Sequence, residues 1–153
     1  MVNTDNRSAG NRFEQELAEI LAANGFWAHV MQQNKSGQPS DVVAVKGKFH
    51  TLIDGKVISD KRGFPFSRIE ENQRCAMRLF QKRCGELCYF AIQLPDKTIW
   101  MIPLERMEVL RSRGNNRMTE LEIRQSCPLE KWLEKSQKWS GINDYNDSEP
   151  DIH

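Results

Sequence analysis

Two short strand-like segments, residues 41–45 and 50–57, lie next to each other near the middle of the chain. The four residues between them, 46–49, include a glycine, which is typical of a hairpin loop. A hairpin closed by this loop is antiparallel, and its register sets Asp41 directly opposite Asp54. Directly opposed residues share one face of a sheet, with their β-carbons about 4.5 to 5.5 Å apart. The two carboxylates are therefore expected to lie together.

Lys56 adds a third charged group, because a residue two positions after Asp54 projects from the same face of the strand. Two carboxylates held this close repel each other and lose water, which costs stability. A divalent cation resolves the conflict, and carboxylate oxygens suit Mg²⁺, which keeps several waters and can bind against a phosphate. Lys56 is placed to orient a water or to stabilise charge on a phosphodiester. The pattern predicts phosphodiester hydrolysis, although an isolated set of this kind is more often an ordinary strand-end cluster.

The elements around the hairpin indicate the fold class. A capping box formed by Ser67 and Glu70 predicts the start of a second helix, and Gly85 predicts its end. Hydrophobic periodicity and turn residues predict further helices at 11–24, 103–113 and 128–139, and strands at 26–31, 87–94 and 98–102. The predicted class is α/β (α+β). It has an αβββαβ core with a central mixed sheet flanked by helices, followed by an extra strand and a C-terminal helical extension.

Composition limits the domain count and the kind of protein. The chain has 153 residues, 39% hydrophobic and 28% charged, which suits a single soluble domain over residues 1–139. Residues 140–153 hold four acidic residues and no lysine or arginine, which predicts a disordered acidic tail. Apolar runs are far shorter than the ~20 residues that a bilayer requires. The N-terminus has no apolar signal-peptide region, so we expect an intracellular, cytoplasmic protein with no membrane partner.

On these residues the sequence resembles the PD-(D/E)xK nuclease superfamily, and within it the RecU/Hjc-like Holliday junction resolvases. The resemblance covers residues 10–104. Asp41, in the sequence PSD, matches the family's first metal-binding aspartate, with one residue inserted after the proline. Asp54 and Lys56 match its (D/E)xK pair, here with the shorter acid. Glu14, in the sequence GNRFE, matches a first-helix glutamate that helps to hold the metal and its waters.

The resemblance implies a restriction-endonuclease-like fold and a Mg²⁺-dependent endonuclease, with Mn²⁺ able to substitute. Its implied activity is the resolution of Holliday junctions in recombination and repair. The implied metal ligands are Asp41, Asp54 and Glu14, and the implied catalytic residues are these three with Lys56 and Gln73. Gln73 matches a glutamine downstream of the family's Phe-Pro segment and lies on the apolar face of its helix. Gln73 is equally well interpreted as a core glutamine that is hydrogen-bonded to the backbone. Glu14 is equally well interpreted as a solvated glutamate in the first turn of a helix, where the helix dipole favours acids.

One departure from the RecU type is informative. RecU-type enzymes carry a long insertion before the first aspartate, and residues 30–41 leave no room for one. The segment is more like the short loop of the archaeal resolvases, in which a serine near the site participates. Ser36 is the candidate here.

Residues 46–68 form a basic stretch that contains six lysines and arginines and two aspartates. Such a stretch favours binding of a polyanion, although an ordinary solvated loop can carry the same charge. We expect the DNA backbone to lie along it. The expected DNA-binding residues are Lys46, Lys48, Lys61, Arg62, Arg68 and Ser36. Phe64 and Phe66 are expected to touch DNA or a partner subunit. The four tryptophans are expected to pack in the core or at its rim.

The expected substrate is branched DNA, most simply a four-way junction. Symmetric nicking of a junction needs two active sites related by a two-fold axis, so we expect a homodimer. Two alternatives stay open: a nuclease on flaps or duplex DNA, and a catalytically silent DNA-binding subunit of the same fold. Retention of Asp41, Asp54 and Lys56 argues against the silent subunit. A compact resolvase without accessory domains suits a phage or prophage gene.

Overall fold

A computed structural model of the protein describes residues 4–31 and 42–142, with side chains from residue 12 onward. The helices are α1 (Thr4–Ala23), α2 (Glu71–Cys84), α3 (Leu104–Ser112), α4 (Glu120–Arg124) and α5 (Leu129–Ser140). The strands are β1 (Trp27–Val30), β2 (Val42–Lys46), β3 (Phe49–Val57), β4 (Phe64–Pro65), β5 (Tyr89–Gln93), β6 (Ile99–Pro103), β7 (Arg117–Met118) and β8 (Cys127–Pro128). None of the described helices is long and apolar enough to cross a membrane.

In the described part of the chain, six strands form one mixed sheet in the order β1-β2-β3-β5-β6-β8. Strands β3 and β5 run parallel, and the other neighbours in this sheet run antiparallel. Helix α2 connects the two parallel strands, because a parallel pair requires a crossover connection. The short strands β4 and β7 form a separate pair. This arrangement confirms the predicted αβββαβ core with a mixed sheet, an extra strand and C-terminal helices.

The hairpin of β2 and β3 has the register that the sequence predicts, since Val43 pairs with Leu52. Lys46 and Phe49 also pair, so the loop has two residues and not the predicted four. Gly47 has a φ of 55°, the left-handed conformation that such tight hairpin turns favour. The shorter loop leaves the register unchanged because it removes one residue from each side.

Two hydrophobic cores lie on the two faces of the sheet. The face covered by α1 and α5 buries Phe13, Leu17, Ile53 and Trp132. The opposite face, covered by α2 and α3, has its own set of buried residues. That set includes Ile69, Met77, Phe90, Ile92, Leu104 and Met107. Because successive residues of a strand point to opposite faces, each central strand contributes to both cores.

Helix α2 begins later than the sequence motif predicts. Ser67 lies in a turn of 3-10 helix, and Glu70 precedes α2 without any side-chain cap hydrogen bond. The predicted Ser67–Glu70 capping box is therefore wrong. Burial of Phe66 and Ile69 in the core holds this segment in a 3-10 turn followed by extended backbone. The predicted end is confirmed, because Gly85 caps the helix in the left-handed conformation.

The C-terminal part contains elements that the sequence pattern indicates only weakly. Thr119 and Glu122 form a capping box at the start of α4. Strand β8 extends the sheet by pairing with β6. Helix α5 ends at Ser140, one residue beyond the predicted domain boundary, and the carbonyl of Ser140 accepts a hydrogen bond from the Lys48 amide at 2.8 Å. Residues 143–153, most of the expected tail, lie outside the described part of the chain.

Candidate active site

Asp54 and Lys56 lie in the second half of β3 and form the centre of the candidate site. The side chain of Asp54 is 1% exposed, and its Oδ2 lies 3.4 Å from Nζ of Lys56. Within the described residues this oxygen accepts no hydrogen bond. Both side chains project from the face of the sheet that α2 covers, because they are two residues apart on one strand. The acid and the amine are therefore as close as the sequence pattern predicts.

The environment of Asp54 disfavours its charged form. Burial raises the pKa of Asp54 from its ordinary value of 3.8 to about 6, because the carboxylate loses its hydration. The positive charges of Lys56 and Arg68 oppose this rise, and the negative charge of Glu70 adds to it. Lys56 and Arg68 together therefore offset the effect of burial on Asp54 only in part.

Glu14 reaches the same strand from the opposite face of the sheet. It is 5% exposed, and its Cγ lies 3.0 Å from the position that a β-carbon on Gly55 would occupy. An aromatic carbon of Phe13 is equally close to that position. The side chains of Glu14 and Phe13 can pack this closely against β3 because residue 55 has no side chain. Glu14 is thus held against the three-residue segment that carries Asp54 and Lys56.

Gln73 occupies the inner face of α2. Its side chain is 4% exposed, and it lies one helical turn before Met77, which is buried in the core between α2 and the sheet. This is the face that the sequence predicts for Gln73. Two other predicted site residues, Asp41 and Ser36, lie outside the described residues.

The buried carboxylate of Asp54 suits a hard divalent cation, because its Oδ2 accepts no hydrogen bond within the described residues. Glu14 is a second buried carboxylate beside the same strand, but it approaches β3 from the opposite face of the sheet. Oxygen ligands of this kind are those that Mg²⁺ prefers. In residues 4–31 and 42–142, no group of three or more His, Cys, Asp or Glu side chains is arranged to hold an ion. Asp41, which the sequence predicts as a metal ligand, lies outside these ranges.

Comparison with known proteins identifies the family. The model of the family described as archaeal Holliday junction resolvase (hjc) matches residues 5–140 of this chain. This chain belongs to the Hjc family. It is therefore an endonuclease of the Holliday junction resolvase type, which acts in recombination and repair. The match to the archaeal family agrees with the short segment between β1 and β2, which leaves no room for a RecU-type insertion.

The fold of this Hjc-family protein also has a solved counterpart. The chain is similar to the structure of Hjc, a Holliday junction resolvase from the archaeal hyperthermophile Archaeoglobus fulgidus, with a TM-score of 0.65. The two sequences are 20% identical, and the match covers 81% of this chain and 99% of the other. At this identity the likeness shows a shared fold. No curated protein sequence matches the chain significantly.

The basic residues that the sequence predicts to bind DNA lie in different environments in the structure of the resolvase. Lys46 is only 8% exposed, and its ammonium donates a hydrogen bond to the Asn24 carbonyl at 2.9 Å, just after α1. This contact gives Lys46 a structural role, and the DNA contact that the sequence predicts for it stays a prediction. Lys48 lies at the turn of the β2–β3 hairpin, at the end of β3 remote from Asp54. Lys61 is exposed in the loop that follows β3.

Two other predicted DNA contacts, Arg62 and Arg68, also differ from each other. Arg62 is exposed and forms an ion pair with Asp60 at 3.3 Å. Arg68 is partly buried, and its guanidinium donates a hydrogen bond to the Val57 carbonyl at 2.9 Å. Burial lowers the pKa of Arg68, and the negative charge of Asp54 opposes that shift. Arg68 is therefore part of the electrostatic surroundings of the buried acid.

The aromatic residues of the Phe-Pro segment are core residues. Phe64 is fully buried and Phe66 is 3% exposed, so the expectation that they touch DNA or a partner subunit is wrong. Phe64 packs near Phe90 and lies beneath the Arg68 guanidinium, 5.6 Å from its ring centre. The loop is basic at its surface, but its rings pack inward because β4 pairs with β7 beneath it.

The tryptophans follow the expected pattern with one marked exception. Trp132 is 1% exposed and contacts the rings of Phe26 and Phe49 in the core. Trp139 lies at the rim of the same cluster. Trp27, on the edge strand β1, is 60% exposed, and among the described rings it contacts only that of His29, at an interplanar angle of 53°.

Sequence reasoning missed Glu70 as a neighbour of the site. The capping-box pattern assigned its side chain to the start of α2, whereas the structure leaves it exposed and close enough to influence the pKa of Asp54. The acidic residue immediately before a helix that packs on the active strand was the available signal. The incorrect helix start concealed it.

Proposed function

We propose that this resolvase hydrolyses a DNA phosphodiester at the second half of β3, with a divalent cation held by Asp54, Glu14 and Asp41. The observation that carries the proposal is the buried carboxylate of Asp54, which has an oxygen without a hydrogen bond and an ammonium 3.4 Å away. A fold that only needed stability would gain from an apolar residue at this position. A metal site gives the buried acid a function.

Asp41 is the proposed additional ligand. The last described pair of the β2–β3 ladder joins Val42 to Ile53, and Asp41 and Asp54 are the next residues of the two chains. Continuation of the same register would set the two carboxylates opposite each other, as the sequence predicts. This would bring the number of carboxylates around β3 to three.

The chain's own residues have separable tasks in this proposal. The ion, when bound, supplies a Lewis acid that lowers the pKa of a water and neutralises phosphoryl charge, and Mg²⁺ is the expected ion with Mn²⁺ as substitute. Lys56 carries the nearest positive charge to Asp54 and stabilises charge that develops on the phosphodiester. Gln73 orients groups at the site from the inner face of α2.

The proposed substrate is a four-way DNA junction, cleaved by a homodimer. Two-fold symmetry places two active sites on symmetric strands of the junction. Exposed basic groups beside β3, on Lys61 and Arg62, would contact the backbone, and Ser36 remains a candidate from the loop before β2. Lys48 lies farther away and would contact only an arm that extends along the hairpin. We also propose that the protein acts in the cytoplasm and that its gene is of phage or prophage origin.

Cleavage of defined DNA substrates tests this function. Labelled four-way junction, flap and linear duplex are incubated with the protein, with and without Mg²⁺. We expect symmetric nicks in the junction that require the ion, and D54N should lose cleavage while it still binds the junction. The matched control is D60N, which removes an exposed carboxylate a short distance along the chain. Preference for flaps or duplex would support the alternative nuclease, and binding without cleavage by the parent protein would support the silent subunit.

A further inference from the structure

A cleft of about 380 Å³ opens at the carboxyl ends of the two parallel strands, β3 and β5. Ligands of α/β sheets commonly bind outside the carboxyl ends of parallel strands. The lining residues come from α1, from the ends of both strands and from the turn after β5. They are Arg12, Phe13, Glu16, Val57, Gln93 and Lys97.

The cleft is adjacent to the candidate active site but lies on the other face of the sheet. Val57 and Gln93 are direct partners in the parallel ladder, and Val57 follows Lys56 in the chain. Phe13, which also lines the cleft, packs against Gly55 from the side of α1. A DNA strand that crosses this end of the sheet would therefore meet the active site and the cleft in succession.

The charges around the cleft favour an anion. Arg12 and Lys97 are exposed, and within the described residues neither forms an ion pair or a side-chain hydrogen bond. Among the lining residues that the structure describes, Glu16 is the one carboxylate, so two described cations face one described anion. Asp96, next to Lys97 in the chain, is already engaged, because its carboxylate accepts hydrogen bonds from Thr98 and from Arg124. Asp96 therefore does not neutralise Lys97.

Lys97 is presented by a rigid and locally strained turn. Its φ of 72° is left-handed, a conformation that glycine adopts without cost and that a lysine adopts at a cost of about 1 to 2 kcal/mol. Its amide donates a hydrogen bond to the Leu94 carbonyl, and the amide of Leu94 in turn donates to the Thr98 carbonyl, both at 2.9 Å. A lysine in a conformation that favours glycine, on a turn held by two backbone hydrogen bonds, is consistent with a use for its side chain.

We propose that this cleft binds a backbone phosphate of the DNA next to the one that is cleaved, through the charged groups of Arg12 and Lys97. The proposal rests on the proposed nuclease function and adds a binding site for the continuing strand. Phosphate contacts of this kind fix the position of the nucleic acid on the protein and carry no sequence information. Arg12 and Lys97 would thus be positioning residues for cleavage.

Binding of the junction by variants in the inactive D54N background tests the proposal. The test variants are R12Q, K97G and the pair, and the control is the double variant K82Q/R83Q. The control removes the same charge from exposed residues at the far end of α2, near the start of β3. We expect the pair to bind the junction several-fold more weakly, with a salt slope smaller by about 0.9, as for one lost phosphate contact. K97G should also raise the melting temperature, which separates lost binding from lost folding.

DNA that carries single neutral methylphosphonates locates the contact. One position beside the cleavage site should weaken binding of the D54N parent and have no further effect on the R12Q/K97G pair. Affinity and salt slope equal to those of the K82Q/R83Q control would overturn the cleft proposal while the nuclease function stands. Failure of the D54N parent to bind any junction, with no cleavage by the parent protein, would overturn both.

Discussion

The ammonium of Lys56 lies 3.4 Å from the carboxylate of Asp54, yet it does not restore an ordinary pKa to that acid. Burial has the larger effect, and the pKa of Asp54 is raised to about 6. The ion pair is therefore an incomplete compensation for a dehydrated charge. The uncompensated charge should lower the stability of the metal-free protein, and a bound cation should restore it.

Without divalent metal, D54N should be more stable than the parent protein at pH 8. The folded-state pKa of Asp54, about 6, is above its ordinary 3.8, so the folded state binds the proton more tightly. The contribution of Asp54 to the free energy of unfolding is therefore fully present below pH 4, and it is lost as the pH rises to about 6 because the buried carboxyl ionises. We expect D54N to gain about 1 to 3 kcal/mol at pH 8 in EDTA and to lack this pH dependence.

Urea unfolding at several pH values between 3.5 and 8 measures this gain. D60N is the informative control, because hydrogen bonding to the Arg62 amide lowers the pKa of exposed Asp60 and the expected change has the opposite sign. A parent protein whose stability does not fall between pH 4 and pH 6 would contradict the buried charge of Asp54.

Divalent metal should reverse the order of stability. Binding to the folded state alone stabilises a protein by about 2.7 kcal/mol when the ligand is at a hundred times its dissociation constant. We expect Mg²⁺ or Mn²⁺ to raise the melting temperature of the parent protein, and D54N and D41N to lose most of this shift. Calorimetric titration with Mn²⁺ measures the affinity directly. Equal metal affinity in the parent protein and in D41N would remove Asp41 from the proposed ligands.

Gly55 should not tolerate alanine. The added β-carbon would lie 3.0 Å from side-chain carbons of both Glu14 and Phe13, so these two buried side chains must shift to make room for it. We expect G55A to lose about 1 to 3 kcal/mol, the usual cost of overpacking, and to lose cleavage because Glu14 is displaced. Denaturant unfolding and junction cleavage measure the two effects. Adding F13L, which shortens one of the crowding side chains, should restore part of the stability, and strict additivity of the two substitutions would contradict this packing.

The sequence predicts the part of the site that depends on strand periodicity. The register of the hairpin, the shared face of Asp54 and Lys56, and the inner position of Gln73 on α2 all follow from the periods of 2 and 3.6 residues. These repeats are local, and tertiary contacts only reinforce them. The mixed sheet was predictable for the same reason, from the order of strands and helices.

The errors arose where tertiary packing overrides a local pattern. The segment Phe64–Ile69 reads as a polar basic loop with a capping box, but β4 pairs with β7, more than fifty residues later, and draws the aromatic rings into the core. A pairing partner that far along the chain leaves no mark on the local sequence. Lys46 reads as a surface cation for the same reason, because its carbonyl partner, Asn24, comes from a different element.

Lys46 gives the sharpest test of this distinction, because one lysine was expected to bind DNA and the structure uses it to hold two elements together. Its ammonium donates a hydrogen bond to the Asn24 carbonyl and lies 5.3 Å from the centre of the Phe26 ring. Both contacts stabilise a cation near the C-terminal end of α1. We expect K46M to lose about 1 to 2 kcal/mol of stability and to leave junction affinity and its salt slope unchanged. K61M, at an exposed site beside β3, should show the reverse: unchanged stability and weaker, less salt-dependent binding. If K46M were as stable as the parent protein and bound the junction as weakly as K61M, the expectation that Lys46 binds DNA would be correct. The contact with Asn24 would then not account for the effect of the substitution.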